Sequence, residues 1–190
     1  MRTDCNRYRV YKDGEVIDEP RDILKYWRDD LVSFLLPCSY GFEGMLRSYN
    51  IKFRGGTGAY ITSLQAIPAG RFRSVNLVVT CRFFQSRRDA IRAIQVTSRL
   101  PVTHGAPIHI GDPAYIGIKD ITKPDIYLVP VAPPQPHEVM LFWACAMTPE
   151  NAINASKPPL AIMHWPGMVF VSDHFTEEFA YTEEIASNLV

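Results

Sequence analysis

Apolar and polar residues alternate at the start of the chain, on both sides of an Asp-Gly pair. The alternating segments, residues 8–11 and 15–17, flank Asp13-Gly14, a dipeptide that favours the tight turn of a β-hairpin. The next stretch, residues 21–36, has apolar residues at helical spacing. These are Ile23, Leu24, Trp27, Leu31, Phe34 and Leu35. The pattern predicts a hairpin followed by an amphipathic helix that ends at a proline.

Strand and helix patterns continue through the middle of the chain. Residues 53–58 (FRGGTG) predict a flexible loop, because they lack the lysine of a phosphate-binding loop and the surroundings of a dinucleotide site. Residues 75–82 are typical of a strand, and Ser86 begins a helix. Residues 100–136 are rich in proline, which breaks helices and disfavours central strands, so they predict a functional loop or a covering segment.

The last third of the chain alternates strands with helices. Residues 139–145 form a continuous apolar run, which is typical of a strand buried on both faces, and Thr148-Pro149-Glu150 is a helix start. Residues 160–164 and 168–173 predict two further strands, and the acidic residues 177–186 predict a surface helix. This order favours the α/β class, with a layered mixed sheet and helices on its faces.

Length, charge and cysteine content narrow the class of protein. The 190 residues suit a single domain, 1–190, and 47% are hydrophobic, enough for a sizeable core. Twenty basic and twenty acidic residues cancel, which argues against nucleic-acid binding and against a polybasic membrane patch. No apolar run is long enough to span a membrane, and no signal or transit peptide is recognisable. The four cysteines lie far apart, so we expect a cytoplasmic protein without a cofactor.

The densest polar cluster in an apolar setting lies in residues 102–113. His104, His109 and Asp112 fall within nine residues, among glycines and prolines that fix turns and allow close approach of a ligand. A histidine oriented by a carboxylate can act as an acid or a base near neutral pH. The alternative is a turn-rich loop whose histidines are only hydrogen-bonded. A metal site is not predicted, because this spacing matches no standard ligand pattern.

Two further clusters follow predicted strands. Cys145 ends one predicted strand, shortly before the helix that starts at Thr148. The free N–H groups at the N-terminus of that helix could bind the carboxylate of a substrate. A cysteine there is a candidate nucleophile, or else part of the core. His164 follows the next strand, in a segment that ends at Asp173. Ser39 lies in a Cys-Ser-Tyr-Gly-Phe-Glu segment with a thiol, a hydroxyl and a carboxylate, or simply forms a helix cap.

In order along the chain, these blocks resemble the hydro-lyase / D-glutamate cyclase family. The similarity runs from Arg2 to Asp173 and is carried by RTD…RYRVYKDG, WRDDLVSFL.CS..FE, PAGRF, QVTSRLPVTHGAPIHIGDPAYIGI, FWACAMTP and KPPLAIMHWPG..FVSD. It implies an α/β protein with a smaller α+β subdomain inserted at about residues 66–118. It also implies lyase activity, in which D-glutamate loses water and closes to 5-oxo-D-proline. Against the family pattern the chain starts late, at the RTD block, and Ile61, Ser63, Ala146 and Met168 replace family residues.

Closing glutamate into a ring requires a base, an electrophilic carboxyl group and a bent substrate. The acid/base candidates are His104, His109 and Asp112, with Cys145 and His164 expected to line the same pocket. The candidates for binding a small-molecule carboxylate substrate are Arg99, Thr148, Ser39 and Asp173. Elimination of water from a hydroxy acid would use the same groups. The competing hypothesis is an inactive or repurposed binding or partner subunit. We also expect a homodimer, formed through apolar surface near the hairpin or the first predicted helix.

Overall fold

The computed structural model describes residues 2–36, 38–127 and 131–180, and the chain divides into two compact units. The first unit is drawn from Met1–Leu36, Gln65–Val75 and Met147–Asp173, and the second from Pro37–Leu64, Asn76–Ala146 and His174–Val190. The described residues combine two sheets with three α-helices, which confirms the predicted α/β class. Within the described ranges, no helix has both the length and the apolar character needed to cross a bilayer.

The predicted hairpin and the predicted elements within residues 75–97, 139–156 and 160–164 appear in the predicted order, and the departures from the sequence pattern are described below. In chain order they are β1 (Tyr8–Lys12), β2 (Glu15–Asp18), α1 (Tyr40–Ser48), β3 (Phe53–Gln65), β4 (Asn76–Phe84), α2 (Arg87–Thr97), β5 (His109–Ile110), β6 (Ile126–Tyr127), β7 (Val139–Ala144), α3 (Thr148–Ser156) and β8 (Ala161–His164). Short 3₁₀ helices lie at Leu24–Tyr26, Pro101–Thr103, Pro113–Ile116 and Thr176–Phe179.

The first unit contains a three-stranded sheet in the order β2-β1-β8, and β1 is antiparallel to both neighbours. The predicted hairpin is confirmed, with φ of 51° at Asp13 and 83° at Gly14, the left-handed pair that a two-residue turn between twisted strands requires. A side chain at Gly14 would also meet α3, since its Cβ would lie 3.1 Å from the carbonyl oxygen of Asn154. Glycine therefore serves both the turn and the close packing of α3.

The helix predicted for residues 21–36 is wrong, because only Leu24–Tyr26 form a 3₁₀ turn. The turn ends at Trp27, whose backbone is extended (φ −68°, ψ 136°), and acidic side chains fix the short turn before it. The Asp22 carboxylate accepts the N–H of Leu24 (3.1 Å), and the Asp18 carboxylate binds the side chains of Lys25 and Tyr26, each at 2.7 Å. Such local bonds stabilise turns over helices. Phe34, on the predicted apolar stripe, is 75% exposed.

The strand predicted at residues 168–173 is also wrong. The carbonyl of Trp165 accepts the N–H of Met168 (2.8 Å), which closes a turn at Pro166-Gly167. After this turn, residues 168–173 pair with no strand among the described residues. Val171 is exposed, so no buried face is available to the segment. For the acidic C-terminal helix, the structure has a 3₁₀ turn at Thr176–Phe179, and residues 181–186 lie outside the described part of the chain.

The second unit is built on a five-stranded sheet in the order β5-β7-β4-β3-β6. Strand β4 is buried on both faces, and the two faces have different covers. Helices α1 and α2 pack on one face, around Phe84 and Trp143. Ile116, Ile118 and Ile121 pack on the other face, around Cys81 and its neighbours. The proline-rich segment is therefore a covering segment, one of the two roles predicted for it.

The glycines of residues 53–58 lie in β3, so the loop predicted there is wrong. Their function is to let neighbouring groups approach closely. A Cβ at Gly55, where φ is 109°, would lie 3.0 Å from the carbonyl oxygen of Cys81. A Cβ at Gly58 would lie only 2.7 Å from the Cβ of Pro124. Glycine inside a strand often marks such a contact, and spacing along the sequence does not show it.

We expect Gly58→Ala to lower the free energy of unfolding by about 1–3 kcal/mol, because the new methyl group overlaps the rigid ring of Pro124. Urea denaturation at pH 7 measures this change. Gly44→Ala is the matched control, because Gly44 lies inside α1 with no atom within 4 Å of its Cβ position. That variant should be as stable as the wild type or slightly more stable. Equal stability of the two variants would contradict the steric argument.

Candidate functional site

A buried arginine is the centre of a polar cluster in the second unit. Arg82 of β4 is fully buried, on the sheet face that α1 covers. Its Nε donates to Oε1 of Glu43 (2.8 Å), and its Nη2 donates to the hydroxyl of Ser39 (3.1 Å) at the start of α1. The hydroxyl of Thr80, two residues earlier on β4, also reaches Ser39. Because an unpaired buried charge is very unfavourable, Glu43 is essential to the burial of Arg82.

The cluster carries an excess positive charge. The second carboxylate oxygen of Glu43 accepts a hydrogen bond from Nη2 of Arg47 (2.7 Å), one turn further along α1. One carboxylate therefore serves two guanidinium groups, one buried and one largely exposed. The net charge of this trio is +1, so a small anion at this side of α1 would be attracted to it.

His104 lies within electrostatic range of Arg82. It ends the 3₁₀ turn of Pro101–Thr103 in a left-handed conformation (φ 83°), and the carbonyl of the next residue, Gly105, accepts the indole N–H of Trp143 (3.1 Å). The Nε2 atom of His104 is shielded from solvent and has no hydrogen-bond partner among the described residues. Burial, together with the positive charge of Arg82, lowers the pKa of His104 to about 4. The imidazole is therefore neutral at pH 7.

The neutral state of His104 predicts a loss of stability in mild acid. The unfolded chain protonates this histidine near its ordinary pKa of 6.5, whereas the folded chain resists protonation down to about 4. Between these values the unfolded state binds the extra proton, so the free energy of unfolding should fall by on the order of 3 kcal/mol as the pH drops from about 6.5 to about 4. Urea denaturation across this range measures the slope. His104→Gln should remove most of it, and an unchanged slope would contradict the assignment.

The other candidates in the second unit take part in local contacts. Nε2 of His109 is hydrogen-bonded to the backbone carbonyl of Asp112 (2.8 Å), and its ring packs 5.4 Å from that of Phe142. The Asp112 carboxylate accepts the N–H of Ala114 (2.9 Å), so it caps a 3₁₀ turn and does not contact the His109 ring. Arg99 is exposed just after α2. Cys145 follows β7, is half-buried, and donates its backbone N–H to Val78.

The remaining candidates belong to the first unit. Thr148 is the first residue of α3, and His164 is the last residue of β8, with Nδ1 hydrogen-bonded to the carbonyl of Trp165 (2.9 Å). Asp173 is exposed. The predicted set is thus divided between the two units, and its convergence in one pocket stays a prediction. Among the described residues, no three histidine, cysteine or acidic side chains are grouped so that they could hold a metal ion.

Sequence reasoning missed a second ionic network, in the first unit. Oε1 of Glu150, in the first turn of α3, accepts hydrogen bonds from Nη1 of Arg9 and from the hydroxyl of Tyr11, both at 2.7 Å. Burial and the adjacent carboxylate raise the pKa of Tyr11, so it is a protonated donor. The protein thus places its own negative charge at the α3 N-terminus, where the sequence suggested a substrate carboxylate. The sequence did contain a signal for this network. It was an arginine and a tyrosine two residues apart, and so on the same face of β1, together with an acid at the start of a helix.

Comparison with known proteins identifies the class to which this fold and these clusters belong. The chain is a member of the D-glutamate cyclase family, whose model matches residues 32–173. Three similar proteins, each named "Putative hydro-lyase", come from Rhodopseudomonas palustris (50% identical), Bradyrhizobium diazoefficiens (49%) and Corynebacterium glutamicum (45%). Each match spans 178 residues, which is 91% of this chain and 64%, 64% and 66% of the respective relative. The chain thus covers slightly less than two thirds of the length of these relatives.

Proposed function

We propose that this chain carries lyase activity of the hydro-lyase / D-glutamate cyclase type, removing water from a small amino or hydroxy acid. Conversion of D-glutamate to 5-oxo-D-proline is the reaction that its family name supports. The observation that carries the proposal is His104, a neutral histidine with an unpartnered Nε2 beside the buried Arg82. Neutral imidazole can both accept and donate a proton, and removal of water requires both.

Arg82 and the substrate together set the protonation state of His104. In the free protein, burial and the guanidinium charge keep the imidazole neutral. A substrate carboxylate bound near Arg82 would offset that positive charge and raise the pKa of His104 towards the working pH. A base with a pKa near the working pH is the most effective proton acceptor. Binding of the correct anion therefore prepares His104 to take a proton.

The two candidate reactions use His104 in the same way. In cyclisation, the substrate ammonium group loses one proton, the amine attacks the γ-carboxyl carbon, the nitrogen then loses a second proton, and a carboxyl oxygen takes up both protons and leaves as water. In β-elimination, the α-carbon loses one proton and the β-hydroxyl takes up one proton and leaves as water. In each case the protons removed from the substrate are returned to the departing oxygen, so a single imidazole can transfer them one at a time. The excess positive charge of the Arg82, Glu43 and Arg47 trio favours the developing negative charge on oxygen.

Incubation with D-glutamate and with a panel of 2- and 3-hydroxy acids tests the proposal. The expected product is lighter than its substrate by one water, as followed by mass spectrometry, and L-glutamate is included to test stereochemical selectivity. Circular dichroism confirms that the protein is folded in each reaction. A folded chain that dehydrates none of these acids would contradict the proposal and favour the binding or partner subunit.

A further inference from the structure

The first unit contains a groove of about 750 Å³ beside the start of β1. This volume is in the range of sites that hold small metabolites. Side chains with hydrogen-bonding groups dominate its wall, and Met168 supplies an apolar side. The polar and charged residues of the wall include Thr3, Asn6, Arg7, Glu19 and Arg21.

The charges around the groove leave one guanidinium group unpaired. Oε2 of Glu19 accepts from Nη2 of Arg7 (3.1 Å), and Oε1 accepts from Nε of Arg9 (3.0 Å). Both oxygens of that carboxylate are therefore used by arginines. Arg21, by contrast, has no hydrogen-bond or ion-pair partner among the described residues, although it lines the same groove. The groove thus presents an available cation next to an ion pair that is already satisfied.

Arg7 is held in place on the wall of the groove. Its guanidinium carbon lies 5.2 Å from the ring centroid of Trp165, and the backbone carbonyl of Arg7 accepts the backbone N–H of the same tryptophan (2.9 Å). These contacts and Glu19 hold Arg7 in one orientation, which reduces the entropy that binding would cost. Arg7 is thus a fixed part of the groove wall, and Arg21 is the cation left to meet a ligand.

We propose that this groove is a binding site for a small carboxylate anion, with Arg21 as the principal contact and Thr3 and Asn6 as neutral hydrogen-bonding partners. A guanidinium group offers two parallel N–H donors that match the two oxygens of a carboxylate. One unpaired cation suits a single carboxylate group, such as one end of a small dicarboxylate whose other end stays in solvent, better than a polyphosphate, whose several charges are adjacent. The proposal concerns binding alone and holds whether or not the chain catalyses loss of water.

Isothermal titration calorimetry with glutarate tests this site, and glutaramide serves as the neutral analogue. Glutarate should bind with saturation and more weakly as the salt concentration rises, whereas glutaramide should give no binding heat. Arg21→Ala should weaken glutarate binding about tenfold or more, because a charge-assisted bidentate contact is lost. Arg28→Ala is the matched control in the same unit, since Arg28 pairs with Asp30 outside the groove. That variant should bind glutarate like the wild type.

The outcomes separate this site from the proposed reaction. Unchanged glutarate affinity in Arg21→Ala, an equal loss in Arg28→Ala, or comparable binding of glutaramide would each overturn the carboxylate site. His104→Ala alters the second unit and should leave glutarate binding intact while turnover is lost. Arg21-dependent glutarate binding without any dehydration of the acid panel would support the groove and contradict the proposed function. Dehydration of the acid panel without Arg21-dependent binding of glutarate would support the proposed function and contradict the carboxylate site.

Discussion

His104→Ala should lower the rate of water loss by about 10²- to 10⁴-fold with the fold intact, since a general acid–base group contributes about that much. The expectation follows from the neutral imidazole and the shielded, unpartnered Nε2. Steady-state kinetics on the best substrate of the acid panel measures the change. The loss should fall mainly on kcat, because the histidine acts on protons that move in the transition state.

His137→Ala is the control for this experiment, because His137 is an exposed histidine of the same unit. It should retain the wild-type rate. His104→Gln adds a second comparison, since glutamine keeps a hydrogen-bonding side chain but does not titrate. If His104→Gln and His104→Ala both turn over substrate as fast as His137→Ala, His104 has a structural role and the proposed mechanism fails.

Arg82→Met should lower the free energy of unfolding by about 3–5 kcal/mol, the usual cost of removing one partner of a buried ion pair. Methionine has a similar length, so little volume is lost and the change reports mainly on charge. Without Arg82, the Glu43 carboxylate, whose side chain is only 9% exposed, would keep Arg47 as its remaining cationic partner among the described residues. Urea denaturation at pH 7 measures the effect.

Arg47→Met is the matched control, because it removes the other guanidinium from the same carboxylate. The Arg47 side chain is 64% exposed, so its loss should cost less than about 1 kcal/mol. The double variant Arg82→Met with Glu43→Leu removes both buried charges and should recover most of the lost stability. An Arg82→Met protein as stable as Arg47→Met would show that the buried pair contributes little.

Local signals along the chain predicted most elements of the fold. The Asp13-Gly14 turn depends on two residues, and the cap of α2 depends on the Ser86 hydroxyl, which accepts the N–H of Asp89 (3.0 Å). Each signal acts over a few neighbouring residues, so it can be read without knowledge of the rest of the chain. The predictions failed where a local bond or a distant contact decided the outcome. The helix that the apolar spacing favoured stops at Trp27, where the backbone becomes extended. Pro124, in turn, explains why Gly58, 66 residues earlier, is a glycine.

The candidate site was only partly readable from the sequence. His104 was singled out by its glycine- and proline-rich surroundings, but its neutral state depends on Arg82, which comes from a different strand. Arg82 itself was missed, because its partner Glu43 lies 39 residues away in the sequence. A single charge within the apolar strand around residue 82 was an available clue, since buried arginines are rarely without a partner. Ser39, which the sequence proposed for substrate binding, lies in the cluster, where its partners are Arg82 and Thr80, and its role stays a prediction.

The buried thiol of Cys81 makes the opening of the second unit observable. Cys81 lies in the middle of β4, and burial raises the pKa of its thiol well above the ordinary value. Alkylating reagents attack the thiolate, so Cys81 reacts only from states in which the central strand has opened. Cys5, in the first unit, is half-buried. The alkylation rate of Cys81 in rising urea, followed by peptide mass spectrometry, therefore reports the opening of the second unit without any introduced label, and the partly accessible Cys5 of the first unit is an internal reference in the same molecule.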